Sequence, residues 1–386
     1  MESTHDFAVK SGFKVPVVAL SLYAVASGYL MSLIPLMLNE YGIAASHASW
    51  LASVFYAGLL IGAVIIEPAV KYVGHRIAFV ACLIVFVMTI VVLPLVPIAG
   101  VWMAARFVAG IAVAGVFVIV ESWLLTGDET SRAKRLGLYM GSLYGGSALG
   151  QLGIGLVGVN GVAPFITILS MLSAAILVLL FIPTQQPQSA HSTPLTWRQM
   201  SKLNHAAIIG CIVSGLTLGS IYGLMPVELS HRNVSQGHLS ALMALVILGG
   251  MAVQPIVPKL IHKVGRTPLM GMFCLVGVFG IGLVVLSNDL NVLAASLFLI
   301  GFSTFALYPI AINLGCDKLD ENNIVSATQV MLFCYSVGSV IGPVIADGFM
   351  SGSQGLMTYL FATMMATAIY MIIASITTKK HMMAGE

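Results

Sequence analysis

A chain of 386 residues that is 59% hydrophobic and only 8% charged carries far more apolar surface than a soluble core can hide, since ordinary soluble domains are about 25% charged. Lipid must serve as its solvent, where only helices or closed barrels satisfy the backbone. With a net charge of +3 on so apolar a chain, no nucleic-acid partner is expected.

The apolar runs are continuous over about 20 residues, the length of a spanning helix, rather than alternating over roughly 10 as barrel strands do. In chain order they cover 15–38, 48–70, 76–96, 100–125, 135–158 and 162–183, then 205–228, 237–260, 267–287, 291–314, 325–350 and 355–377. The first is too long for a signal-peptide core and no small-residue cleavage site follows it, so it counts as a span. Between the sixth and seventh runs, TQQPQSAHSTPLTWRQMSKLN (184–204) is rich in Pro, Ser and Gln and reads as a linker. The predicted architecture is an all-α membrane protein of twelve transmembrane helices. A six-helix half covers 1–183, a cytoplasmic linker 184–204, and a second six-helix half 205–386.

Charge placement orients the chain. With the N-terminus inside, fifteen of the seventeen Lys and Arg fall on the cytoplasmic side; only Arg232 lies outside, and Arg106 lies within a span. The positive-inside rule then puts both termini in the cytoplasm, in the cell (inner) membrane. The five cysteines (Cys82, Cys211, Cys274, Cys316 and Cys334) sit singly inside apolar runs, without metal-ligand spacing. No metal and no cofactor is expected.

The halves look related. KYVGHR (71–76) recurs as HKVGRT (262–267), each in a short loop after the second span of its half. Gly74 and Gly265 are 191 residues apart, and the same offset pairs Gly28 with Gly219, Pro35 with Pro226, Gly58 with Gly249, Gly110 with Gly301, and Tyr144 with Tyr335. Each half has an even number of spans, so the two copies share one orientation, as in parallel-repeat transporters.

These features resemble the major facilitator superfamily of secondary transporters. Its loop signature after the second span runs Gly-x-x-x-Asp-(Arg/Lys)-x-Gly-(Arg/Lys)-(Arg/Lys). The chain keeps Gly74 and Arg76, and in the second copy Lys263, Gly265 and Arg266. It departs at both acidic positions, where Lys71 and His262 stand, and at the first glycine, where Glu67 stands. The fourth-span signature, an Arg followed four residues later by Gly, matches Arg106 and Gly110, with Ala109 in place of its glutamine. GSIYGLMP (219–226), VES (120–122) and YSVGSVIGP (335–343) are similar to an uncharacterised branch of bacterial permeases within that superfamily. The resemblance implies alternating access of two halves, with the paired loops acting in gating.

Arg106 is the leading site candidate. A lone charge in hydrocarbon costs roughly 3 kcal/mol on insertion scales and ~10 or more in simulation. It stands about six residues, ~9 Å, inside the outer end of its span. It could snorkel to the headgroups, but Gly110, Ala112 and Ala114 give its helix a small-residue surface suited to packing on another helix. The resemblance implies that this arginine supports proton coupling or holds an anionic substrate group. Glu121 lies about 22 Å along the helix and ~60° around it, too far for a salt bridge. It either reaches cytoplasmic water and the basic residues Arg132 to Arg135, or faces a cavity and carries a proton.

Glu67 precedes Lys71 by four residues, the favourable order for a helical ion pair that would latch its loop. Glu228 and Asp347 sit near outer span ends and read as hydrated. Tyr23, Tyr144, Gln151, Tyr222, Gln254, Tyr308, Asn313 and Tyr335 are polar residues inside spans. Those spans line the cavity in the family, so with Gly110 they suggest an amphipathic site with aromatic walls.

No Gly-x4-Gly-Lys loop, His-Glu-x-x-His helix or nucleophile elbow occurs, so neither ATP-driven transport nor enzymatic activity is expected. The expected function is secondary active transport of a small organic molecule, coupled to protons. Export of an amphipathic compound is favoured over import of an anionic nutrient or metal chelate. A non-transporting receptor would more often carry a sensor domain, and none fits in these short loops. The partners expected are the solute, protons and the bilayer, around a monomer.

Overall fold

A run of some twenty apolar residues in lipid can hydrogen-bond only to itself, so each folds as a helix. The computed structural model describes residues 14–125, 129–182, 184, 204–287, 289–316 and 321–384. The first group of helices is α1 (Lys14–Met37), α2 (His47–Val73), α3 (His75–Leu95), α4 (Ala99–Leu125), α5 (Glu129–Gln151), α6 (Gly153–Leu156) and α7 (Ala163–Phe181). The second is α8 (His205–His231), α9 (Gln236–Val253), α10 (Val257–Val264), α11 (Arg266–Leu286), α12 (Leu290–Gly315), α13 (Glu321–Asp347) and α14 (Leu356–Ala384). Eleven of them are long and apolar enough to cross a membrane. The twelfth span is α5, whose opening ETSRAKR lowers its hydropathy. The protein is an all-α, multi-span membrane protein with the twelve-span, two-repeat architecture. The linker 184–204 lies outside the described residues except for its two ends.

Two predicted spans are broken. The run 135–158 is helical to Gln151, turns at Leu152 and resumes as α6, a glycine-rich stretch with little helical preference. The run 237–260 stops at Val253 and restarts at Val257. Pro255 and Pro258 lack the N–H groups that an unbroken helix needs there.

The described residues fall into two compact units. One lies within Met1–Ala190 and Leu229–Ala244, the other within His191–Glu228 and Leu245–Glu386. The start of α9 joins the first unit because Gly155 of α6 lies directly against Gly237 and Ser240.

Inside each unit the same glycine contacts recur. In the first, a Cβ on Gly58 would fall on the Phe107 carbonyl and one on Gly110 on the Phe55 carbonyl, so α2 and α4 touch backbone to backbone. In the second, Gly249 meets the Phe298 carbonyl and Gly301 the Val246 carbonyl. All four positions are the first set advanced by 191. For α1 against α5, Gly28 meets Ser147 and Gly150 meets Val25; for α8 against α13, Gly219 meets Ser339 and Gly342 meets Leu216. Here α1 and α8 keep the offset of 191, but 342 less 150 is 192. The gapless register therefore ends between α4 and α5, and Tyr144 corresponds to Ser336 rather than Tyr335. Gly74 and Gly265 close the argument for a repeat: φ and ψ are 82 and 158° at one, 85 and 155° at the other. That region of backbone space is open essentially to glycine alone.

Lipid offers no hydrophobic drive for helix association, so close backbone packing carries it. Gly110→Val is expected to cost about 3 kcal/mol, the upper end for an overpacked site. Gly282 of α11 meets nothing within 4 Å, and Gly282→Ala should leave stability unchanged or raise it by up to about 1 kcal/mol. Thermal unfolding of the two purified variants in detergent checks the contrast.

Candidate functional site

In the first unit one face of α4 carries the polar groups. Arg106, Phe117 and Glu121 lie within ~60° of one another around the helix, because steps of eleven and four residues nearly close whole turns. Opposite them stand Tyr23 on α1 and Tyr139 on α5. Tyr23 is 1% exposed, with ring centroids 5.8 Å from Phe86 and 6.2 Å from Phe117, and lies within hydrogen-bonding reach of Ser27.

The Arg106 guanidinium lies over the Phe55 ring, 4.1 Å from its centroid. Tyr23 and Tyr56 are within electrostatic reach of it. Its Nε is buried and meets no acceptor, and no carboxylate pairs with it among the described residues. The side chain as a whole is half-buried, so part of the fork is reachable. A guanidinium's five N–H donors lie in its own plane, so an acceptor can approach the accessible part of the fork edge-on.

Glu121 is exposed. Its Oε1 accepts a hydrogen bond from the Tyr139 phenol at 3.1 Å, and that phenol lies in electrostatic reach of Tyr23 and Tyr144 as well. The two ends of the α4 face are thus joined by two phenols, not by each other. Beside Glu121, the Ser122 hydroxyl donates to the Ile119 carbonyl and shares a hydrogen bond with Nε2 of His75 at 3.0 Å. His75 is 4% exposed and its ring meets Trp123 edge-on at 5.9 Å.

The remaining candidates scatter. Gly110 is buried in the contact with α2 and lines no open space. Gln151 is fully buried and accepts from Ser32 at 2.6 Å. In the second unit Tyr308 and Tyr335 come together, ring centroids 4.9 Å apart, and Tyr222 meets Phe305 at 6.1 Å. Gln254 folds back onto the Gly250 carbonyl at 3.2 Å, and Asn313 is exposed.

Of the paired loops, Arg76 donates from Nε to the Leu179 carbonyl at 2.5 Å and from its terminal nitrogen to the Leu180 carbonyl at 2.6 Å. It thereby satisfies orphan carbonyls at the end of α7 and complements that helix's dipole. Lys263 is exposed and Arg266 opens α11. The side chains of Glu67, Lys71 and His262 lie outside the described set.

Glu228 is not hydrated: it is 4% exposed, and its Oε2 accepts from the Leu356 amide at 3.1 Å, capping α14. A carboxylate suits that helix start because the first N–H groups point at it. Tyr139 and Phe55 are site residues that the sequence does not mark. No spacing ties either to its charged partner; only a tertiary fold brings them together.

The fold and this polar face define a multi-span transporter. The Major Facilitator Superfamily profile matches residues 17–343. The chain is 31% identical over 360 residues to an MFS-type transporter of Enterobacter sp. (strain 638), covering 92% of this chain and 93% of that one. It is 33% identical over 331 residues to the MFS-type transporter YcaD of Escherichia fergusonii, covering 84% and 85%. The chain therefore belongs to the major facilitator superfamily. In fold it is similar to the crystal structure of a mutant of the nucleoside transporter NupG, with a TM-score of 0.80 at 11% identity over 93% of this chain and 98% of that one. The human organic anion transporter MFSD10 gives a TM-score of 0.68 at 15% identity, over 94% and 99%. Membership makes it a secondary transporter of small molecules.

A lysine in place of Arg106 would keep the charge but could not offer two parallel donors from a planar fork. Arg106→Lys is expected to express at wild-type level yet lose most transport, with Arg106→Ala no worse. Flux of a transported solute into proteoliposomes measures this; wild-type flux in the Lys variant would return Arg106 to a snorkelling role.

Proposed function

We propose that the protein is a proton-coupled exporter of a small amphipathic organic molecule, with both termini in the cytoplasm. The observation that carries this reading is the α4 face, with a permanent cation toward one end and an exposed carboxylate toward the other. Glu121 is the proton carrier. Ionised, it accepts a charge-assisted hydrogen bond from Tyr139, about twice as strong as a neutral one. Protonated, it holds the phenol more weakly, so proton binding loosens the tie between α4 and α5. Arg106 is the anchor on the solute side of the same helix.

Export is favoured by the surroundings of Arg106, where rings outnumber polar groups and suit an amphipathic solute. Paired loops at Gly74 and Gly265 act in gating, with Arg76 fixing the first loop to the end of α7. A receptor is the competing class, and failure of a broad panel of labelled solutes to cross proteoliposomes under an imposed pH gradient would favour it.

Glu121→Gln removes the titrating group and keeps the shape. It is expected to abolish gradient-driven accumulation while leaving counterflow exchange, which needs no net proton movement, within about twofold of wild type. Survival of both activities would place the proton path elsewhere and leave Glu121 a hydrated boundary residue.

A further inference from the structure

Arg106 presents an incomplete balance of charge. A guanidinium stays ionised under all protein conditions, and a charge within a span is normally paired. Here the Phe55 ring centroid lies 4.1 Å from it, and its Nε is buried without an acceptor among the described residues. No described carboxylate pairs with it: Glu121 is occupied by Tyr139, and Glu40 receives the Gly161 amide at 2.7 Å. Nor does a second cation stand on the α4 face. The Phe55 ring lies against the fork, and Tyr56 and Tyr23 are within electrostatic reach of it.

We infer that the transported solute is an organic monocarboxylate with an aromatic or bulky apolar body, its carboxylate received by the Arg106 fork. This rests on the transport reading above. One cation neutralises one carboxylate; a second carboxylate would be desolvated with no partner. An uncharged amide could accept hydrogen bonds but would leave the cation without its counter-charge. The rings supply the apolar wall, and the planar fork can offer a carboxylate two parallel N–H···O bonds.

The test measures binding, not transport. Full-length protein in nonionic detergent is titrated with benzoate and 4-phenylbutyrate, with their amides, and with the dianion phthalate, by equilibrium dialysis. At least one monoacid is expected to bind about tenfold or more tighter than its own amide and than phthalate, a difference of about 1.4 kcal/mol or more. Arg106→Gln should erase that preference, bringing the monoacid's affinity down about tenfold to that of its amide. The acid–amide comparison needs no variant, so a poorly folding Arg106→Gln does not spoil it. Equal binding of acid and amide, an acid preference that survives in Arg106→Gln, or no binding by any acid up to about 10 mM would overturn the inference. Acid-selective binding in a protein that moves no solute would instead sink the transport reading alone. Transport of solutes with no preference for the acids would sink the monocarboxylate assignment alone.

Discussion

A guanidinium in a membrane span cannot shed its charge, and the neighbourhood of α4 is built around that constraint. Stacking on Phe55 recovers about 2 kcal/mol when the pair is out of water, comparable with the roughly 3 kcal/mol insertion penalty. The ring offsets part of that cost but supplies neither a counter-charge nor an acceptor for the N–H donors. Those remain as demand, half-buried and aimed among aromatic walls. Placing Arg106 there also requires α4 to stand close to α2, which is why Gly110 sits four residues on, against the Phe55 carbonyl. The same turn of helix thus holds the cation, its ring and the contact that keeps them in register.

That contact belongs to a wider pattern. With lipid tails as apolar as leucine, helices gain by touching closely, and glycine permits the closest approach. Gly58 and Gly110 in one unit, Gly249 and Gly301 in the other, interlock the same pairs of helices. The repeat persists in these backbone contacts although the side chains around them have diverged. Arg106 itself has no cationic counterpart, because position 297 is a leucine. Symmetry of packing has been kept while symmetry of chemistry has not.

Much of the fold was legible because a bilayer imposes one length on every span. Twelve apolar runs became twelve spans, and the charge-poor composition left no other solvent. The breaks in the fifth and eighth spans were less so, since hydropathy is blind to backbone donors; Pro255 and Pro258 carried that signal. The offset of 191 was correct for α1, α2 and α4 yet failed at α5, where a single added residue leaves composition and periodicity unchanged. The site was half legible. Arg106 and Glu121 stand out as charges within or at the end of an apolar run, and their separation along one helix follows from the rise per residue. Their partners do not, since Phe55 and Tyr139 lie on other helices. Glu228 read as a hydrated acid because its partner, the Leu356 amide, is 128 residues away.

On the proposed reading, exporting a monoanion against an entering proton moves two charges' worth of positive current inward, so the membrane potential assists the pH gradient. This coupling is tested most directly by watching protons rather than solute. Proteoliposomes enclosing a pH-sensitive dye, with no imposed pH gradient, receive a transported solute on the outside. Obligatory exchange predicts that the lumen turns alkaline as solute enters and protons leave, whichever way the protein is inserted. Solute entry with an unchanged or acidified lumen would contradict it.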